Sequence, residues 1–206
     1  MPAANISTDE IWPGPAASPI LRKPENARVM TDRVQMGRNA FAALRWFDDG
    51  TPRPDFVLNQ GRWSTAQILI TGENFGCGSS REMAVWCLQA IGIRAIIASS
   101  FGDIFRNNCF RNGLLPVSLE HDVVGALLEQ ASGENDLILS VDLANELVVQ
   151  RNGLRHRFAI PPYNRQAMLD GLDEIGATLQ RLAEVRAFEA RYLDERPWLE
   201  RPAAQP

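Results

Sequence analysis

The chain reads as an α/β protein. Three observations predict this. Short apolar runs at Ile68 to Thr71, Arg94 to Ser99 and Leu114 to Val117 are separated by segments of helical character. Strand–helix–strand alternation at that spacing gives a parallel sheet with right-handed crossovers. A glycine-punctuated loop, Gly72 to Gly78, lies between the first strand and the helix that follows it. Beyond residue 137, two β-rich runs bracket Ala144-Asn145, as a hairpin would.

Taken in order, residues 1–40 read as irregular. Pro2, Pro13, Pro15, Pro19 and Pro24, with Gly14 and Gly37, interrupt any period. A loop this long is functional or mobile. Arg38 to Phe47 suits a short helix, and Thr51 to Asp55 a turn. After the first strand, Ser79 or Ser80 is expected to cap a helix running to Ile91, with Glu82 in its first turn and Gly92 as its stop. Phe101 to Arg111 is a second helix, and residues 121–131 a third with Val123, Val124, Leu127 and Leu128 on one face. The hairpin, a strand from Arg155 to Ile160 and helices at Asn164 to Leu169 and Asp173 to Ala190 complete the expected domain over 1–190. Residues 191–206 read as a frayed, flexible tail.

Composition narrows the function. The chain has 206 residues, 45% hydrophobic and 22% charged, enough for one sizeable core. A net charge of −4 with no basic stripe argues against a nucleic-acid partner. No apolar run reaches the roughly 18 residues of a membrane helix, and the N-terminus lacks signal-peptide character, so the expected location is the cytoplasm. Cys77, Cys87 and Cys109 are an odd count with no disulfide framework. Their spacing does not suit an iron–sulfur loop. Cys77 and Cys87 flanking a helix would stand about 15 Å apart at about 1.5 Å per residue. No metal site is expected on this chain.

The informative segment is Glu73-Asn-Phe-Gly-Cys-Gly-Ser-Ser-Arg-Glu, between a strand and a helix. Helix N-termini offer free amides and partial positive charge to anions. Gly76 and Gly78 allow close backbone approach. Ser79 and Ser80 supply hydroxyls, and Arg81 a two-pronged clamp for a carboxylate. This composes a site for a small anionic substrate. It lacks the Gly-Lys-Ser/Thr ending of a nucleotide P-loop and the G-x-G-x-x-G spacing of dinucleotide folds. The plain alternative is a capped helix beside an exposed arginine.

The same segment, from Asn74 to Glu82, closely resembles the signature of 3-isopropylmalate dehydratase small subunits, which are similar to the swivelling C-terminal domain of aconitase. Asn5-Ile-Ser-Thr-Asp, Pro54-Asp-Phe-Val-Leu-Asn, Ser100-Phe-Gly-Asp-Ile-Phe-Arg-Asn-Asn, Asn112-Gly-Leu-Leu-Pro-Val and Gly171-Leu-Asp-Glu-Ile-Gly-Ala-Thr-Leu-Gln resemble the family in the same order. The resemblance implies a single swivelling β/β/α domain with C-terminal helices. It implies that Ser79 is the catalytic base and that Ser80, Arg81 and Gly78 bind substrate. Asp9 matches an aspartate that pairs with a histidine of the partner chain and supports leaving-group protonation. The implied partner is a large subunit that holds a [4Fe–4S] cluster, and the implied substrate a small dicarboxylic hydroxy acid. The reaction is reversible dehydration interconverting 2- and 3-isopropylmalate in leucine biosynthesis.

Three departures bear on the substrate. Met83 and Val85 stand where the family usually has His and Pro. The segment from Glu10 to Ala40, which in the family helps choose the side group, is long and proline-rich. It offers the apolar pair Ile20 and Leu21, and Arg22 as a second carboxylate clamp or a solvated loop charge. The family's strand ahead of Asn5 is absent. An apolar pair discriminates one methylene only modestly. A hydratase for citraconate or dimethylmaleate, and a non-catalytic module derived from this domain, are the alternatives.

Overall fold

The computed structural model describes residues 1–133 and 137–199. Its helices are α1 (Thr8–Ile11), α2 (Arg33–Met36), α3 (Ala42–Arg45), α4 (Glu82–Ala90), α5 (Asp103–Arg111), α6 (His121–Ser132), α7 (Pro162–Asp170), α8 (Glu174–Leu179) and α9 (Leu182–Glu195). Its strands are β1 (Ile68–Ile70), β2 (Ala95–Ala98), β3 (Leu115–Ser118), β4 (Leu139–Asp142), β5 (Leu147–Gln150) and β6 (Arg155–Arg157).

β1, β2 and β3 form a parallel sheet in that order, joined through α4 and α5. β4, β5 and β6 form a separate antiparallel sheet. The expected alternation and hairpin are therefore both present. β2 is buried along its whole length, as a central parallel strand covered on both faces should be. Its alternating side chains feed two cores. Ile96 and Ala98 join α4, Phe75 and Phe105 in the first. Ala95 and Ile97 join Val124 and Leu127 of α6, with Val148 of β5 and Phe158 just after β6, in the second.

Residues 1–46 are not the free loop their composition suggests. Ile6, Ile11, Trp12, Ile20, Val29, Met36 and Phe41 are all buried in the first core. Short helices and turns there are supplemented by hydrogen bonds from buried polar side chains. Asn39 Nδ2 donates to Pro13 O at 2.9 Å, Ser18 Oγ to Asn39 Oδ1 at 2.5 Å and Asn26 Nδ2 to Ile20 O at 3.0 Å. The backbone polar groups of a proline-broken segment must find partners when buried, and these amides supply them.

Three boundaries differ from expectation. The helix expected across 38–47 is a 3₁₀ turn, Gly37–Asn39, followed by α3, because Phe41 adopts φ +55° between them. The long helix expected from Asp173 is split at Arg181, whose amide donates to Thr178 O at 3.0 Å in a tighter turn. No glycine or proline marks that break. α9 then continues to Glu195, past the expected end at Ala190, and a 3₁₀ turn covers Pro197–Leu199. The remainder of the expected tail, residues 200–206, lies outside the described residues.

Candidate active site

Two segments lie side by side to build the site. One is the arm Asn5 to Ile11, and the other is the loop Gly72 to Arg81 between β1 and α4. Asn5 N donates to Glu73 O at 2.9 Å, Gly76 N to Ile6 O at 2.7 Å and Thr8 N to Cys77 O at 2.9 Å. On the loop's other side, Phe75 N donates to Ser100 O at 3.1 Å and Asn74 N to Ser100 Oγ at 2.8 Å. The loop is thus fastened between the arm and the segment after β2.

Its tight course depends on Gly76. Its φ is +75°, and a Cβ there would lie 2.2 Å from Phe105 Cγ, so no side chain fits without displacing a buried ring. Gly78, at φ +89°, meets nothing closer than 3.8 Å. Backbone conformation rather than crowding asks for glycine there.

The serines do not cap α4. The helix begins at Glu82, and its cap residue, Arg81, is extended at φ −131° and ψ 100°. Thr8 Oγ1 donates to Ser79 O at 2.7 Å. That carbonyl is engaged with the arm, whereas a helix started two residues earlier would have it accept the Met83 amide. The Glu82 and Met83 amides meet no acceptor among the described residues, which leaves them free for a ligand.

Asp9, Ser79 and Arg81 converge. Arg81 Nη2 pairs with Asp9 Oδ1. Arg81 Nε donates to Ser79 Oγ at 3.3 Å, and Ser79 Oγ stands 3.5 Å from Asp9 Oδ2, the long limit of a hydrogen bond. α1 holds Asp9 in place through a reciprocal cap. Ser7 Oγ accepts the Glu10 amide at 3.2 Å and Glu10 Oε2 accepts the Ser7 amide at 2.8 Å. Gly78, Ser79, Ser80 and Asp9 are all exposed. An exposed ion pair contributes at most about 1 kcal/mol, so an incoming anion can separate Arg81 from Asp9.

The other sequence candidates fall outside this triad. Ser80 sits beside it, and its side chain makes no hydrogen bond among the described residues. Arg22 pairs with Asp48 at 3.3 Å and shares no bond with Asp9, Ser79 or Arg81. Ile20 is 4% exposed and Leu21 packs against the first core. That pair fastens the segment instead of facing a ligand. Met83 and Val85 also pack into the first core. Thr8 is the contributor that spacing does not single out, because its partner lies 71 positions away.

The cysteines do not fit a cluster. Cys87 and Cys109 are fully buried, and desolvation pushes both thiols well above their ordinary range, the opposite of what a thiolate ligand needs. Cys77 sits in the loop, its thiol donating to Asn5 O at 3.4 Å. Among the described residues, no group of three His, Cys, Asp or Glu side chains could hold a metal ion. Among them, too, no helix is long and apolar enough to cross a membrane.

Residues 13–122 match the aconitase C-terminal domain family, and residues 174–202 match the family of C-terminal domains of 3-isopropylmalate dehydratase small subunits. A 3-isopropylmalate dehydratase small subunit from Parvibaculum lavamentivorans is 42% identical, over 97% of this chain and 94% of the relative. One from Gluconobacter oxydans is 44% identical, over 97% and 89%. The crystal structure of 3-isopropylmalate dehydratase from Methanocaldococcus jannaschii superposes with a TM-score of 0.60 at 26% identity, covering 89% of this chain and 93% of that one. Matched along nearly its whole length by those relatives, the chain belongs to the 3-isopropylmalate dehydratase small-subunit family of aconitase-like swivel domains.

Proposed function

We propose that this chain is the small subunit of a 3-isopropylmalate dehydratase, and that it supplies the proton-transfer and carboxylate-binding half of the site. The single observation that carries this is the convergence of Ser79, Arg81 and Asp9 on an exposed face. A hydroxyl beside a guanidinium fork offers a carboxylic acid both a two-pronged clamp and a group for proton transfer.

In this reading Ser79 removes and returns the proton on the carbon beside a carboxylate. A serine hydroxyl is a weak base in water. Arg81 Nε at 3.3 Å lowers the cost of its anionic form. Asp9 occupies the fork of Arg81 in the substrate-free chain, where its carboxylate stands in for one of the substrate's. Substrate takes that place, with the free Glu82 and Met83 amides beside it. Asp9 is then released to pair with a histidine of the partner and support protonation of the departing hydroxyl. Water leaves, and returns one carbon over.

The Lewis acid for that departing hydroxyl is assigned to a [4Fe–4S] cluster on the large subunit, since the thiols of this chain do not fit one. The open setting of Ser79 supports the same division, because a water-excluding active site needs a second wall. Residues 1–190 act as one swivel domain on this reading, in a cytoplasmic enzyme of leucine biosynthesis. The reading is tested with the reconstituted two-subunit enzyme against 3-isopropylmalate, citraconate and dimethylmaleate. Interconversion of the isopropylmalates is expected. Turnover confined to either methyl-substituted acid, or none with any of the three, would refute it.

A further inference from the structure

We propose that Thr8 is a positioning residue for the dehydration, acting through the backbone of Ser79. The inference rests on the proposed role of Ser79. Thr8 is 1% exposed, yet both its amide and its hydroxyl are spent on the serine loop. Thr8 N donates to Cys77 O at 2.9 Å, and Thr8 Oγ1 donates to Ser79 O at 2.7 Å. One residue therefore grips the loop on both sides of Gly78, the residue at φ +89° where the chain turns toward the serines. Gly78 lies in ordinary contact with Ser7 and Thr8, not crowded by them, and as a glycine it has the conformational freedom to move if that grip is lost.

The alternative arrangement is specific. Without the Thr8 hydroxyl, Ser79 O loses the bond that fixes its direction, and it can turn to accept the Met83 amide and extend α4 backward by two residues. That would turn Ser79 Oγ away from Arg81 Nε. Thr8 also precedes Asp9 directly, so the same buried anchor sets the carboxylate that holds Arg81. Both partners of Ser79 Oγ are thus referred to one fixed point.

The test compares Thr8→Val, Thr8→Ala and Thr8→Ser in the reconstituted two-subunit enzyme, with melting temperature and assembly measured alongside. Thr8→Val and Thr8→Ala should lower kcat about 10- to 100-fold in assembled enzyme, as displacements of about 1 Å do. KM should change less than about threefold. Thr8→Ser, which keeps the hydroxyl, should retain at least about a third of wild-type kcat. Thr8→Val combined with Ser79→Ala should be no slower than Ser79→Ala alone, because residues acting as one unit are not additive. If Thr8→Val fails to assemble, the Thr8→Ser and Thr8→Ala pair decides. Equal kcat in all three variants, with Ser79→Ala inactive, overturns the positioning role alone, as does equal loss in Thr8→Ser and Thr8→Ala. An active Ser79→Ala enzyme overturns the base assignment and this inference together.

Discussion

In the segment before Phe47, Ile11 and Trp12 are 0% and 2% exposed, although five prolines interrupt residues 1–24 and each α-helix there has only four residues. In the regular helices and turn after Asp173, Ile175, Phe188 and Trp198 are 70%, 55% and 75% exposed. Regularity and burial run in opposite directions in these two regions. Local turns satisfy only part of the segment's backbone, and it is also held by long-range bonds such as Phe41 N to Ile11 O at 2.9 Å and by the buried Asn39 and Asn26 amides. Those bonds commit it to the core. α9 satisfies its own backbone, and its stripe of Leu182, Val185, Phe188 and Tyr192 stays partly or largely open. The proposed site lies where the irregular region docks: Asp9 and Thr8 both come from it.

The comparison breaks or sharpens through stability measurements on the full chain. The largest effect is expected for Trp12→Ala, which empties a large buried site in the arm and should destabilise by about 4 kcal/mol in chemical denaturation. Less than about 1 kcal/mol would mean the arm is a loose appendage. Gly76→Ala should cost about 3 kcal/mol, from a side chain in the left-handed region and its overlap with Phe105. A cost near zero would show that the loop is not pinned between arm and α5. The smallest effect is expected for Phe188→Ala, below about 1 kcal/mol, because its ring is more than half exposed. A loss as large as that of Trp12→Ala would erase the distinction between the two regions.

What could be read in advance follows the same division. The parallel strands and their crossover helices were legible because apolar runs and periodicity are local signals. Ser79, Ser80 and Arg81 were legible as one short loop, whereas Asp9 entered only through the family resemblance and its pairing with Arg81 was not anticipated. The start of α4 was not legible, because Thr8 Oγ1 claims Ser79 O from 71 positions away. The burial of Ile20 was equally hidden. It depends on Ser18, Asn26 and Asn39 meeting across the arm, which no spacing rule anticipates. The split at Arg181 leaves no sequence mark because neither glycine nor proline produces it.

The most direct test of the central claim is the turnover of Ser79→Ala in enzyme reconstituted with the large subunit. Removal of a general base should lower kcat about 10²- to 10⁴-fold, with melting temperature and assembly matching the wild type. Turnover within about threefold of wild type, in a complex of normal stoichiometry, would contradict the assignment of proton transfer to this chain.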